Sequence, residues 1–230
     1  KTGKEKILFS GYHGWHDWYL SANISSKNAL DNQLMSDLSP RGIPLGLEDT
    51  AIPFLPNSID SLRKKIVGQE GQIAAIIIEP ARGEDAPKGY LESLKGLCEE
   101  LGAILIFDEI TSGFRMCAGG IHRNYNVHPD IAVFAKGMSN GYAMSAVLGK
   151  ENVMQSAQKT FISSTNWTEK IGPVAALATL EKYQKESVDK KIIYSGKRVK
   201  SIWDKAAKKN GLDISISGLP SLCSFSFNHH

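Results

Sequence analysis

The chain has 230 residues, 42% of them hydrophobic and 22% charged, and 27 Lys and Arg side chains against 24 Asp and Glu leave a formal charge of +3. That excess is too small to argue for nucleic acid or an anionic membrane as partner, and the length suits one large domain, or one and a half, with a substantial core. No apolar run reaches the ~20 residues of a membrane span, no signal-peptide pattern opens the chain, and three scattered cysteines (Cys98, Cys117, Cys223) argue against a disulfide framework or zinc knuckle and suit a reducing, cytoplasmic setting.

The chain opens "KTGKEK" without Met and stops inside strand-like "SFSFNHH", so it reads as a piece of a longer protein; His229 and His230 are either native or a tag remnant. Ile7 to Phe9 form a short buried strand that empties into "GYHGWHDWY". Residues 21–57, rich in Ser, Asn, Pro and Gly, read as ordered loop, and Ser58 is placed to cap a helix running to Val67. Next come "QIAAIIIEP", an amphipathic helix through Leu91, Leu94, Leu97 and Leu101 that stops at Gly102, then "AILIFDEI" and "HPDIAVFAKG". Runs apolar on both faces, separated by helices or long loops, predict an α/β architecture with a mainly parallel sheet covered on both sides. A long helical region from Thr168 to about Lys209 carries Pro173 in its opening turns, breaks near Ser187 to Lys191 and ends at Gly211; its lysines, interleaved with acids, form a solvated face. The alternating "LDISISGLPSLCSFSF" predicts strands of a smaller domain, so residues 1–205 are assigned to a large domain and 206–230 to the start of a small α+β one.

Three successive buried runs end in an ionisable residue: Glu79, Asp108 and Lys136. Ligands of open parallel sheets sit beyond the carboxyl ends of the strands. A lysine after "IAVFA" is expected to be partly desolvated and nucleophilic, and an aspartate after "AILIF" can hold a cationic ring nitrogen. Pyridoxal phosphate needs both, a lysine Schiff base and an acid for its pyridinium nitrogen. Tyr12 can supply a flat face for such a ring. The alternatives for the aromatic stretch are a metal site on His13, His16 and Asp17, whose spacing does not match the helical zinc pair, and base stacking, which lacks a basic groove. No metal is expected.

In these residues the chain resembles the class III pyridoxal-phosphate aminotransferases, in particular the branch around glutamate-1-semialdehyde aminomutase. The matching segments are "YHGWHD", "IIIEPARGE", "LIFDEITSGFR", "HPDIAVFAKGMSNGYAMSAVLG" and "SSTNWTEKIGPVAALATLE", in the family's order across most of residues 5–182. The resemblance implies a fold-type I large domain and a homodimer with shared active sites, acting on a small-molecule amino donor and a carbonyl acceptor. It implies that Lys136 bonds the cofactor and shuttles a proton. Asp108 would pair with the ring nitrogen, Tyr12 and Ile110 would cover its two faces, and His13 would lie near the ring. Glu79 and Glu84 would belong to the polar wall. The phosphate of the neighbouring subunit's cofactor would fall to Thr165 or Thr168, with Thr165 preferred, although the sequence departs here from the usual T-x-x-G-x-P pattern. The family's phosphate loop would precede Tyr12, and its C-terminal domain would follow the chain's end. The activity implied is amino-group transfer; the alternatives are an intramolecular 2,1-aminomutase and a catalytically silent homologue. A nucleotide-binding dehydrogenase is disfavoured because no G-x-G-x-x-G follows a strand. Arg115, Trp15, Trp18, Met138, Met144, His122 and His128 read as structural, and Cys117 lacks an activating base.

Overall fold

Alternation within the strands divides the core in two. In β1 (Lys6–Ser10), Leu8 points into one apolar cluster and Phe9 into another. In the computed structural model, which describes residues 1–228 except Leu34 and Arg82, the remaining elements follow from that division. Arg82 of the "IIIEPARGE" segment and the terminal histidine pair lie outside the described residues.

Helices α1 (Asp17–Leu20) and α2 (Ala22–Ser25) follow β1 and cover the Phe9 face with Tyr19 and Ala22. Strand β2 (Ala51–Pro53) lies within the stretch expected to be loop; it is a three-residue edge strand, where a proline costs no ladder bond. Helix α3 (Ile59–Ile66) starts at Ser58, whose hydroxyl accepts from the Ser61 amide at 3.1 Å. Strand β3 (Ile73–Ile78) sends Ile76 and Ile78 to the Leu8 side and Ile77 to the Phe9 side. Helix α4 (Tyr90–Leu101), capped by Gly102 at φ +56°, lays Leu91, Leu94 and Leu97 on the Leu8 side. Fully burying one such leucine is worth about 2 kcal/mol, before the order it requires is counted.

Strands β4 (Ile104–Asp108) and β5 (Ile131–Phe134) extend the sheet in parallel. Strand β6 (Ala146–Gly149) reverses. Residues 135–145 turn straight back without a crossover helix, and a parallel partner would need one. The strand order is β2-β1-β3-β4-β5-β6. Helix α5 (Glu151–Met154) precedes α6 (Ile171–Glu186), which lays Ala176 against Ala132 and Phe134 of β5. Helix α6 begins three residues later than the sequence suggested, with Lys170 at its N-cap and the Glu169 carboxylate accepting from the Ile171 and Gly172 amides of its first turn. Ser187, at φ +47°, breaks the helix where expected, and α7 (Val188–Lys209) follows. The antiparallel pair β7 (Ile214–Ser217) and β8 (Ser224–Phe227) packs on α7, with Trp203 5.1 Å from Phe225 between ring centroids. No helix among the described residues is long and apolar enough to cross a membrane.

Candidate active site

The carboxyl ends of β1, β3, β4 and β5 bring five of the expected residues, Tyr12, His13, Glu79, Asp108 and Lys136, to one edge of the sheet. Asp108 closes β4 and is buried, with Oδ2 2.9 Å from His13 Nδ1 and Oδ1 accepting from the Ile110 amide at 3.0 Å. His13 comes from the loop after β1; its Nε2 donates to the Ser10 carbonyl at 3.1 Å. The neighbouring Tyr12 amide lies 3.5 Å from Glu79 Oε2 at the end of β3. Past β5, Lys136 Nζ donates to Thr111 Oγ1 at 2.9 Å, and Thr111 stands three residues beyond Asp108. Two hydrogen-bonded pairs, His13 with Asp108 and Lys136 with Thr111, and the Tyr12–Glu79 approach thus gather at the same edge of the sheet.

Tyr12 is half-buried, its ring 4.4 Å from Trp15 and 5.7 Å, edge-on, from Tyr19. Trp15, expected to be packing, is half exposed and backs Tyr12. A cleft of about 380 Å³ opens beside Tyr12, lined by Gln33, Glu79, Glu84 and Tyr90 among others. Glu84 accepts from Asn57 Nδ2 at 2.8 Å. His16 is occupied elsewhere: Nε2 donates to the His13 carbonyl at 3.1 Å, and Nδ1 caps α1 through the Tyr19 amide.

One expectation changes. Lys136 is exposed rather than desolvated, because the chain turns left-handed there (φ +45°) and lifts the side chain beyond the apolar strand that precedes it. Thr165 and Thr168 lie in residues 160–169, all exposed, and no hydrogen bond among the described residues joins either to the strand-end set. Sequence reasoning missed Thr111, which touches the lysine, and Glu109, fully buried one residue beyond Asp108. It also read His122 as loop, whereas the ring is buried and donates from Nδ1 to Glu109 Oε1 at 2.8 Å. Arg115 Nε donates to the Thr111 carbonyl at 2.7 Å. Burial, reinforced by the nearby Glu109 charge, raises the Cys117 thiol pKa, which keeps that thiol protonated.

The residues suit a pyridine ring carrying a carbonyl. Asp108 uses one hydrogen bond on each oxygen, and a carboxylate has roughly four acceptor sites, so it retains capacity for a ring N–H. The Lys136 amine is tied to a hydroxyl and to no carboxylate among the described residues, which leaves it available for bond formation.

The model of the class-III aminotransferase family matches residues 1–229. The chain is 34% identical over 226 residues to the 3-aminobutyryl-CoA aminotransferase of Cloacimonas acidaminovorans (strain Evry), covering 95% of this chain and 50% of that one. It is 36% identical over 160 residues to the glutamate-1-semialdehyde 2,1-aminomutase of Caldicellulosiruptor saccharolyticus, covering 67% of this chain and 36% of that one. In fold it is similar to the FumI protein of Sphingopyxis sp. MTA144, solved in its PLP internal aldimine form, with a TM-score of 0.85 at 23% identity over 99% of this chain and 53% of that one. The chain spans about half the length of the first of these relatives. On the family match along nearly its whole length, the chain belongs to the class-III aminotransferases.

Proposed function

We propose that the protein is a pyridoxal-phosphate-dependent aminotransferase moving an amino group between an amine or amino acid and a carbonyl acceptor. The observation that carries this reading is the placement of Glu79, Asp108 and Lys136 just beyond the ends of neighbouring strands, with His13 on Asp108 and Thr111 on Lys136. When bound, the cofactor supplies an electron sink for the substrate carbon. Lys136 Nζ holds the cofactor and moves the proton at that carbon. Asp108 holds the proton on the ring nitrogen, and His13 fixes the carboxylate that does so. Tyr12 and Ile110 would hold the ring between them, and Glu79 and Glu84 would form the polar wall.

Thr165 and Thr168 are assigned to the phosphate of a neighbouring subunit's cofactor, which requires a homodimer. In support, the adjoining face of α6 leaves Ile171, Val174 and Leu177 exposed, an apolar stripe suited to a second copy. Two separate sheets support a division into a large domain over residues 1–205 and the start of a smaller one over 206–230. Three free cysteines support a cytoplasmic setting.

A second reading, intramolecular 2,1-amino transfer, is favoured by the similarity to an aminomutase at 36% identity. The test uses the intact protein with added pyridoxal phosphate. An absorbance band at the edge of the visible that Lys136→Ala abolishes is expected; its persistence in that variant removes the assignment. Conversion of the cofactor to its amine form by external amino donors, with a keto product released, then separates transamination from internal transfer.

A further inference from the structure

Beside the proposed site lies a buried acid with no place in that chemistry. Glu109 follows Asp108, is completely buried, and has every polar atom engaged. Its amide donates to the Val133 carbonyl of β5 at 2.9 Å, and its own carbonyl accepts from the Gly113 amide at 2.7 Å. Carboxylate Oε2 accepts from Ser112 Oγ at 2.6 Å and the Ile121 amide at 3.0 Å. Oε1 accepts from the His122 amide at 3.0 Å and His122 Nδ1 at 2.8 Å. One carboxylate therefore ties both limbs of the loop over residues 109–122 to the end of the sheet.

What the loop presents is the lysine's surroundings. Thr111, inside the clamped limb, accepts the Lys136 amine. The Gly113 carbonyl would stand 3.1 Å from a Cβ placed on Gly137, and a Cβ on Gly113 itself would meet the Glu109 carbonyl at 2.6 Å and Phe134 at 2.8 Å. The loop and the lysine turn thus approach closely enough that a side chain at either glycine would crowd its surroundings.

We infer that Glu109 is a positioning residue for the Lys136 amine, acting through Thr111: its carboxylate holds the loop so that the Thr111 hydroxyl meets Nζ. The inference rests on the reading of Lys136 as the functional amine, but its test does not require cofactor. A buried carboxylate surrounded by four donors is satisfied only as an acceptor on both oxygens. Glu109→Gln keeps the shape and turns one oxygen into a donor that faces a backbone N–H, so the loop relaxes at that limb.

The experiment is limited labelling of the intact protein with trinitrobenzenesulfonate after any carbonyl cofactor is removed with hydroxylamine, with the Lys136 peptide quantified by mass spectrometry. Thr111→Val is expected to raise the labelling rate of Lys136 about threefold, the change that loss of one partly exposed hydrogen bond produces. Thr111→Ser is expected to restore the parent rate. Glu109→Gln should match Thr111→Val, and the double variant should be no faster than either single one, since both remove the same contact. A folded Glu109→Gln at the parent rate, or a double variant whose rate multiplies the two effects, overturns the inference. Where Glu109→Gln does not fold, Ser112→Ala removes one donor from the carboxylate; a smaller rise supports the inference and the parent rate overturns it. A protein that shows this coupling yet gives no absorbance band with pyridoxal phosphate would refute the cofactor reading alone.

Discussion

His13 and Asp108 meet through Nδ1 and Oδ2 at 2.9 Å, both side chains almost fully buried, while His13 Nε2 reaches the Ser10 carbonyl at 3.1 Å. A carbonyl only accepts, so Nε2 carries a hydrogen. Removing the imidazole leaves Asp108 buried with a single backbone donor. His13→Ala is therefore expected to cost about 3 kcal/mol, the usual penalty for orphaning one member of a buried pair. The shift of the urea midpoint at unchanged slope measures it; a cost below about 1 kcal/mol would mean that water replaces the ring.

The alkaline limit of stability follows from Tyr90, Cys98 and Tyr125. Burial raises each to about 12, from ordinary values of 10.0 for the phenols and 9.0 for the thiol. The folded chain then holds these protons where the unfolded chain has released them. Stability is unaffected by them below about pH 9 and declines as pH rises from there toward about 12. Urea midpoints at pH 8 and pH 11 should show the loss. Tyr90→Phe should make the decline shallower, even though it gives up the contact with the Asn57 backbone.

Gly196, in the middle of α7, poses a contest between helix propensity and packing. Alanine there gains about 1 kcal/mol of helix stability. Its Cβ, however, would stand 1.7 Å from the Pro220 carbonyl oxygen, a backbone atom that no rotamer can move. Overpacking against backbone costs about 3 kcal/mol, so packing wins. Gly196→Ala is expected to lower stability and to open residues 211–228 to limited proteolysis. A more stable variant would show that the turn at Pro220 yields.

At Lys136 the backbone sits at φ +45°, a region that costs a non-glycine residue about 1 kcal/mol. Lys136→Gly should therefore be more stable than Lys136→Ala by about that amount in thermal melts. Equal stability would mean that the turn relaxes once the amine is gone.

The strands that carry the site were plain in the sequence because their burial on two faces writes a continuous apolar run. "IAAIII", "ILIFD" and "IAVF" each became a strand, and each is followed or closed by the expected ionisable residue. β2 left no such mark: a three-residue edge strand ending in Pro53 looks like loop. Glu109 was illegible for a different reason. Two of its four side-chain donors are the backbone amides of Ile121 and His122, and an amide has no residue signature. The exposure of Lys136 was also hidden, since hydrophobic neighbours in sequence predict burial and only the left-handed turn reverses it.

The reversal of β6 returns the chain to the far end of the sheet, where Gly149 faces Ile131 and Lys150 pairs with Asp130 at 2.7 Å. That end is made of turns such as those at Gly68 and Gly102, and none of them carries a residue of the proposed chemistry. Among the described residues, the proposed chemistry and these turns therefore lie at opposite ends of the sheet. A fluorophore attached near Lys150 would thus report on the protein from the end remote from the proposed site.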